Sequence, residues 1–107
     1  MKEVRGKTDR RDIFMAGDVS QARQVCREFC YEIGLCVHVH ACDYVYTGGE
    51  EAGFKVGLLY YPRFPETPID KYAIELAERL ADRLCQHSFL IVGPEETIWR
   101  TRRSSEP

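Results

Sequence analysis

The chain has 107 residues, of which 44% are hydrophobic and 30% are charged, and its net charge is −2. This length suits one domain, because a chain of this size buries roughly two-thirds of its unfolded surface. The small net charge argues against nucleic acid as a partner, and the absence of a long apolar run argues against a membrane span. The charged amino terminus lacks an apolar signal core, so we expect a cytoplasmic protein with reduced cysteines.

Charged residues are distributed unevenly along the chain. Basic side chains crowd both ends, and acidic side chains dominate the middle. We therefore divide the chain into a basic, flexible segment over residues 1–11, one folded domain over residues 12–103 and a tail over residues 104–107.

The first half of the folded part shows a strand, a helix and a second strand. A short apolar run over residues 12–16 predicts the first strand. Asp18, with Gln21 three residues later, has the pattern of a capping box. Apolar residues at helical spacing follow, and Gly34 is a natural end for that helix. The second strand is predicted over residues 35–46.

The second half adds a hairpin and a second helix. A glycine-rich loop over residues 47–53 leads to a third strand over residues 54–61, so the second and third strands form a hairpin. Prolines at every third position of residues 62–68 predict an extended connector. Thr67 is the predicted cap of a second helix of about 19 residues.

Two short strands, over residues 88–92 and 97–102, complete the order β-α-β-β-α-β with an extra carboxyl-terminal strand. This order predicts a ferredoxin-like α+β fold, an antiparallel sheet with two helices on one face. The other face is also rich in apolar side chains, whereas an antiparallel sheet open to water normally alternates apolar with polar residues. We therefore expect self-association to cover that face.

The most distinctive stretch of the chain is Cys-Val-His-Val-His-Ala-Cys over residues 36–42. Alternate side chains of a strand lie on opposite faces, so the two cysteines and two histidines share one face. Cys36 and Cys42 lie about 20 Å apart on an extended strand, so one metal ion cannot bind all four side chains. His38 and His40 remain a candidate metal pair that needs a third ligand from elsewhere.

Aromatic and arginine side chains concentrate near strand ends and in the proline-rich connector. Aromatic rings beside guanidinium groups suit a small anionic or nucleotide-like ligand. The predicted ligand-binding residues are Tyr44, Tyr46, Arg63, Trp99, Arg100 and Arg102. Interface packing uses the same residue types. The residues assigned to an interface or cleft are His38, His40, Tyr60 and Tyr61.

The chain shows no complete set of catalytic residues. The glycine-rich loop lacks the Lys-Ser/Thr of a P-loop, and its carboxylates Glu50 and Glu51 have no evident companion acid or base. Cys36 and His38 share a face, but no third group is placed to orient them for nucleophilic catalysis. These observations favour a binder without a cofactor over an enzyme.

The layout of residues 12–101 resembles that of the PII-type signal proteins and the CutA divalent-ion-tolerance proteins. Local likeness lies in Gly-Leu-Cys-Val-His-Val over residues 34–39 and in Tyr44-x-Tyr46 leading to Gly49. The resemblance implies a trimer with a nucleotide-binding cleft between subunits. The Trp-rich turn and following Gly-Lys of CutA are missing, so copper binding is not carried over.

Three further motifs look like those of small uncharacterised bacteriophage and prophage proteins: Cys26-Arg-Glu-Phe-Cys30, Tyr61-Pro-Arg-Phe-Pro65 and Thr97-x-Trp99. The leading hypothesis is therefore a non-enzymatic, homo-oligomeric ligand-binding module, in a phage one that sequesters a host nucleotide signal as an anti-defence protein. One alternative is a metal-binding protein or metal-dependent enzyme that uses the two histidines. The other is an interaction module that inhibits a host factor.

Overall fold

The computed structural model describes residues 1–103, so the predicted tail over residues 104–107 lies outside the described part. In chain order the elements are β1 (Arg11–Ala16), α1 (Val19–Ile33), β2 (Val37–Tyr46), β3 (Gly49–Leu58), α2 (Ile69–Arg83), β4 (Ser88–Val92) and β5 (Thr97–Thr101). The strands form one antiparallel sheet in the order β2-β3-β1-β4-β5. This arrangement confirms the predicted ferredoxin-like α+β fold, with β5 added beside β4.

The hydrophobic core lies between the sheet and the two helices. Ile13, Phe54 and Ile91, from the three central strands, are at most 1% exposed. The helices bury the apolar stripes that the sequence predicts, with Phe29 of α1 and Leu80 of α2 fully enclosed. Within residues 1–103, no helix is both long and apolar enough to span a bilayer.

Helix α1 has the predicted bounds because both ends are encoded locally. The Asp18 carboxylate accepts a hydrogen bond from the Gln21 backbone N–H at 2.9 Å, which satisfies a free donor of the first turn. At the other end, Gly34 has a φ of 79°, and its N–H donates to the Cys30 carbonyl at 2.8 Å. Glycine adopts this left-handed conformation at low cost.

Helix α2 begins differently from the prediction. The Thr67 hydroxyl donates to the Phe64 carbonyl at 2.9 Å, so it closes a turn in the connector and does not cap the helix. The helix starts at Ile69 after Pro68 and has 15 residues. The predicted Thr67 cap is therefore wrong, because the local turn uses the hydroxyl.

The hairpin also differs from the prediction. Strands β2 and β3 pair along their whole length, from Val37 with Leu58 to Tyr46 with Gly49. Only Thr47 and Gly48 lie in the turn, where Gly48 has a φ of 88°. The predicted loop over residues 47–53 is wrong because one glycine in the left-handed region allows a two-residue reversal.

Candidate functional site

The sheet face opposite the helices, here named the second face, carries side chains of one parity from all five strands. Strand register places these residues on it: Asp12, Phe14 and Ala16 of β1, His38, His40, Cys42, Tyr44 and Tyr46 of β2, Glu51 and Lys55 of β3, Ser88 and Leu90 of β4, and Trp99 of β5. The sequence prediction that the histidines face away from the helices agrees with this register. The second face therefore combines rings, charges and apolar groups.

Glycines of β3 make room on the second face for rings of β2. A Cβ atom on Gly53 would lie 2.4 Å from the Tyr44 ring, and one on Gly57 would lie 2.1 Å from the His38 imidazole. Both distances are far below van der Waals contact, so each ring occupies space that a side chain would otherwise fill. The glycines therefore let the rings of β2 lie against the backbone of β3.

A cavity of about 470 Å³ lies on the second face, between the end of the hairpin and strands β4 and β5. Its wall includes Phe14, Tyr44, Tyr46, Glu51, Leu90 and Trp99. Gln86 and His87, from the connection before β4, add polar groups. The volume falls in the range of small-molecule sites, roughly 300–1,000 Å³, and the wall combines aromatic rings with polar and charged groups that include Arg103.

Tyr44 is a protonated residue of the cavity wall, and a hydrogen bond holds its side chain in place. Its hydroxyl donates to the Phe54 carbonyl at 2.5 Å. Burial, and then the neighbouring Cys42 thiol, raise the pKa of Tyr44 above the usual value for a phenol. The hydroxyl therefore keeps its proton at neutral pH and does not serve as a general base.

Glu51 is the only carboxylate that the described residues place in the cavity wall. It lies on β3 directly opposite Tyr44, whereas its neighbour Glu50 pairs with Val45 on the helix side. Because residues 47–53 were expected to form a loop, Glu51 was not predicted as a site residue. A turn of only two residues, Thr47 and Gly48, would have extended β3 through Glu51 and Gly53. Alternation along that strand then places Glu51 and Gly53 on the same face.

The predicted ligand-binding residues do not form one site. The three aromatic residues of that set come together in the cavity wall. Arg100 and Arg102 instead bind carboxylates of α2, with Arg100 at 2.8 Å from Glu78. Arg63 lies over the Phe64 ring, 4.9 Å from its centroid, in the connector. The candidate site therefore keeps the three aromatic residues and loses these three arginines, whereas Arg103, which was not predicted as a site residue, lies in the cavity wall.

The histidine pair forms a separate cluster on the second face. His38 Nδ1 and His40 Nε2 are 2.6 Å apart and share a hydrogen bond. The pair lies above Gly57 beside the buried Asp12, whose carboxylate accepts from Arg10 at 2.9 Å. Within residues 1–103 no three candidate ligands are placed to hold a metal ion. The shared hydrogen bond between the rings is what the geometry supports.

The two tyrosines assigned to an interface or cleft lie outside the cavity wall. The Tyr60 hydroxyl donates to the Pro65 carbonyl at 3.1 Å, and its ring packs against the edge of the core. Tyr61 is 47% exposed and lies beside the Cys36 thiol. Both residues follow β3 and help to hold the connector that leads to α2.

The fold defines an α+β protein of the ferredoxin-like type, and two solved structures share it over nearly the whole chain. A phage SAM lyase in complex with S-methyl-5'-thioadenosine matches with a TM-score of 0.69 at 12% sequence identity, covering 99% of this chain and 98% of that chain. A phage SAM lyase in the apo state matches with a TM-score of 0.68 at 16% identity and the same coverage. No family model and no curated protein matches this sequence.

These matches correct the functional hypothesis drawn from the sequence. We expected a non-enzymatic binding module and leaned against an enzyme, whereas the matching structures are those of an enzyme. The alternatives of a metal-dependent protein and of an inhibitor of a host factor are not tested by these matches and stay predictions. The resemblance to PII-type and CutA proteins stays a prediction.

Proposed function

We propose that this chain is an enzyme that cleaves S-adenosylmethionine to S-methyl-5'-thioadenosine. The observation that carries the proposal is the cavity of the second face, where two tyrosines and a tryptophan lie close to one carboxylate. The whole-length likeness to the phage SAM lyases supports it at the level of the fold. A phage source for this chain is part of the same proposal.

The wall of the cavity suits three parts of this substrate, namely the adenine ring, the sulfonium and the amino group. Adenine is a flat ring that stacks on aromatic side chains, and Trp99 and Tyr46 present exposed rings. The sulfonium is a soft cation without hydrogen-bond donors, which aromatic faces attract through their quadrupole. The amino group of the substrate is a cation with donors, and the Glu51 carboxylate is the acceptor within the wall.

The named product determines which bond breaks. S-methyl-5'-thioadenosine retains the methyl and adenosyl groups, so the bond between sulfur and the γ-carbon of the amino acid chain is cleaved, and its electron pair returns to sulfur. In the simplest route, the carboxylate of the substrate attacks the γ-carbon and closes a five-membered lactone. This step consumes no water and transfers no proton.

This route gives the residues of the cavity positioning roles. The sulfonium loses its charge in the reaction, so a carboxylate held against sulfur would stabilise the substrate more than the transition state. The ammonium group keeps its charge throughout, so an ion pair with Glu51 orients the chain without that cost. The protonated Tyr44 is compatible with the route because no general base is required.

Product analysis tests the proposal. Purified protein is incubated with S-adenosylmethionine, and the products are followed by liquid chromatography and mass spectrometry. We expect S-methyl-5'-thioadenosine and homoserine lactone in equal amounts, at a rate proportional to protein concentration. A control without protein corrects for spontaneous breakdown. Product formation no faster than in that control would overturn the proposal.

We also propose that the protein self-associates through the second face, with a trimer favoured. Tyr46 is 55% exposed, Trp99 48% and Leu90 38%, which leaves apolar surface around the cavity that a second copy would cover. Light scattering after size-exclusion chromatography over a dilution series measures the mass. A monomer at every concentration would contradict this proposal while leaving the proposed reaction open to its own test.

A further inference from the structure

We propose that Cys30 and Cys36 are a redox-active pair that forms a disulfide when a peroxide oxidises the protein. Both thiols are free in the structure. Cys30 lies in the last turn of α1, and Cys36 directly precedes β2. This inference does not depend on the proposed function.

The backbone brings the two cysteines together. The N–H groups of Gly34 and Leu35 both donate to the Cys30 carbonyl, at 2.8 Å and 3.3 Å, so the chain folds back over the end of α1. The two cysteines line the same groove between α1 and β2, and their thiols are near enough for Cys36 to raise the pKa of Cys30. A disulfide needs this kind of proximity.

The surroundings suit a thiol reaction. Both cysteines line an apolar groove of about 420 Å³ between α1 and β2, and Arg23 and Arg27 form part of its wall. Cys36 is exposed, whereas burial, and then the nearby Cys36 thiol, raise the pKa of Cys30. Cys36 is therefore the thiol that meets the oxidant first, and Cys30 is the resolving partner.

The other cysteines are poorer partners. Cys26 also lines the groove, but it is only 3% exposed, and burial raises its pKa to about 12. Cys42 lies on the second face beside Tyr44, and Cys85 follows α2. Neither of these two thiols is in the groove wall that the described residues form.

The reaction balances with hydrogen peroxide as the oxidant. The Cys36 thiolate attacks one peroxide oxygen, the O–O bond breaks, and a sulfenic acid forms as hydroxide leaves. The Cys30 thiolate then attacks the Cys36 sulfur, the S–O bond breaks, and a second hydroxide leaves. The two hydroxides take up the two thiol protons, so two thiols and one peroxide give one disulfide and two waters.

Labelling after oxidation tests the pair. The intact protein is treated with hydrogen peroxide, denatured and labelled with N-ethylmaleimide. We expect the oxidised protein to take up three labels instead of the five that its cysteines allow, and dithiothreitol to restore five. Tandem mass spectrometry should locate the link between Cys30 and Cys36.

Serine variants provide the controls. The exposed Cys36→Ser should abolish the link without disturbing the fold, and Cys30→Ser should do the same. Cys85→Ser, an exposed thiol outside the groove, should form the link as the wild type does. The inference would be overturned if the protein still took up five labels after peroxide, or if the link joined another cysteine or two molecules. It would also be overturned if dithiothreitol did not restore the lost labels, or if Cys30→Ser formed the link as the wild type does.

Discussion

At the scale of single residues, two adjacent carboxylates show how strand geometry separates a site residue from a bystander. Glu51 faces the cavity opposite Tyr44, and Glu50 faces the helix side opposite Val45. The two side chains have the same chemistry and neighbouring positions. Only the register of β3 distinguishes them, so they form a matched pair for testing the site.

Cys26 gives a prediction for the pH dependence of stability. Burial raises the pKa of Cys26 from 9.0 to about 12, so the folded chain holds this proton more tightly than the unfolded chain does. The resulting stabilisation is complete below pH 9 and is lost as pH rises from 9 towards 12. We expect Cys26→Ala to flatten this decline in the free energy of unfolding, measured by urea denaturation between pH 8 and about 10.5. An equal decline in the variant would contradict the assignment.

Several side-chain placements follow from the sequence, and others depend on packing between distant elements. Alternation along β2 predicts that His38 and Tyr44 point away from the helices, because successive side chains of a strand point to opposite faces. The positions of Arg100 and Arg102 depend on carboxylates of α2, about twenty residues away in sequence. Local patterns contain no information on such pairs, so the arginines were assigned to the ligand site.

At the scale of secondary structure, β3 shapes the site through glycines, whose missing side chains leave space beside the sheet. Of the β3 residues on the second face, every other one is a glycine: Gly49, Gly53 and Gly57. Rings of β2 lie against these glycines. A strand with ordinary side chains there would lift the rings from the sheet. The cavity wall therefore depends on glycine in β3 as much as on the aromatic residues of β2.

A substitution in β3 tests this dependence. In Gly53→Ala the new Cβ would lie 2.4 Å from the Tyr44 ring and 2.6 Å from the Met15 carbonyl oxygen, which belongs to the backbone. We expect a loss of roughly 1–3 kcal/mol in the free energy of unfolding, because the backbone contact cannot be relieved by a rotamer change. Denaturant titration measures it.

Gly49→Ala is the matched control for that substitution. Its added Cβ would lie 3.2 Å from the edge of the Tyr46 ring, a side chain that is 55% exposed and free to shift. We expect a clearly smaller loss than for Gly53→Ala. Equal losses in the two variants would show that the close approach of Tyr44 has no special cost.

Element boundaries were predictable where a local signal determined them. Asp18 and Gly34 mark the ends of α1 in the sequence and in the structure. The hairpin was mispredicted because several glycines in residues 47–53 were all assigned to a loop. Gly48 alone supports the turn, and the others are paired strand residues that accommodate rings. The difference between a turn glycine and a strand glycine depends on the partner strand.

At the scale of the whole molecule, the order of elements predicts the fold. An alternation of strands and helices in the order β-α-β-β-α-β has few compact solutions, and the antiparallel sheet is the observed one. The cavity was not predictable in the same way, because its wall combines residues from all five strands and from the connection before β4. Only their assembly creates an open cavity beside a carboxylate.

The central claim is that this chain cleaves S-adenosylmethionine in the cavity of the second face. The most direct measurement is the initial rate of S-methyl-5'-thioadenosine formation by the wild type, Glu51→Gln and Glu50→Gln at equal protein concentration. We predict that Glu51→Gln loses about 100-fold or more in rate, because the ion pair that orients the substrate is removed, while Glu50→Gln retains the wild-type rate. No activity in the wild type, or equal rates in the two variants, would contradict the claim.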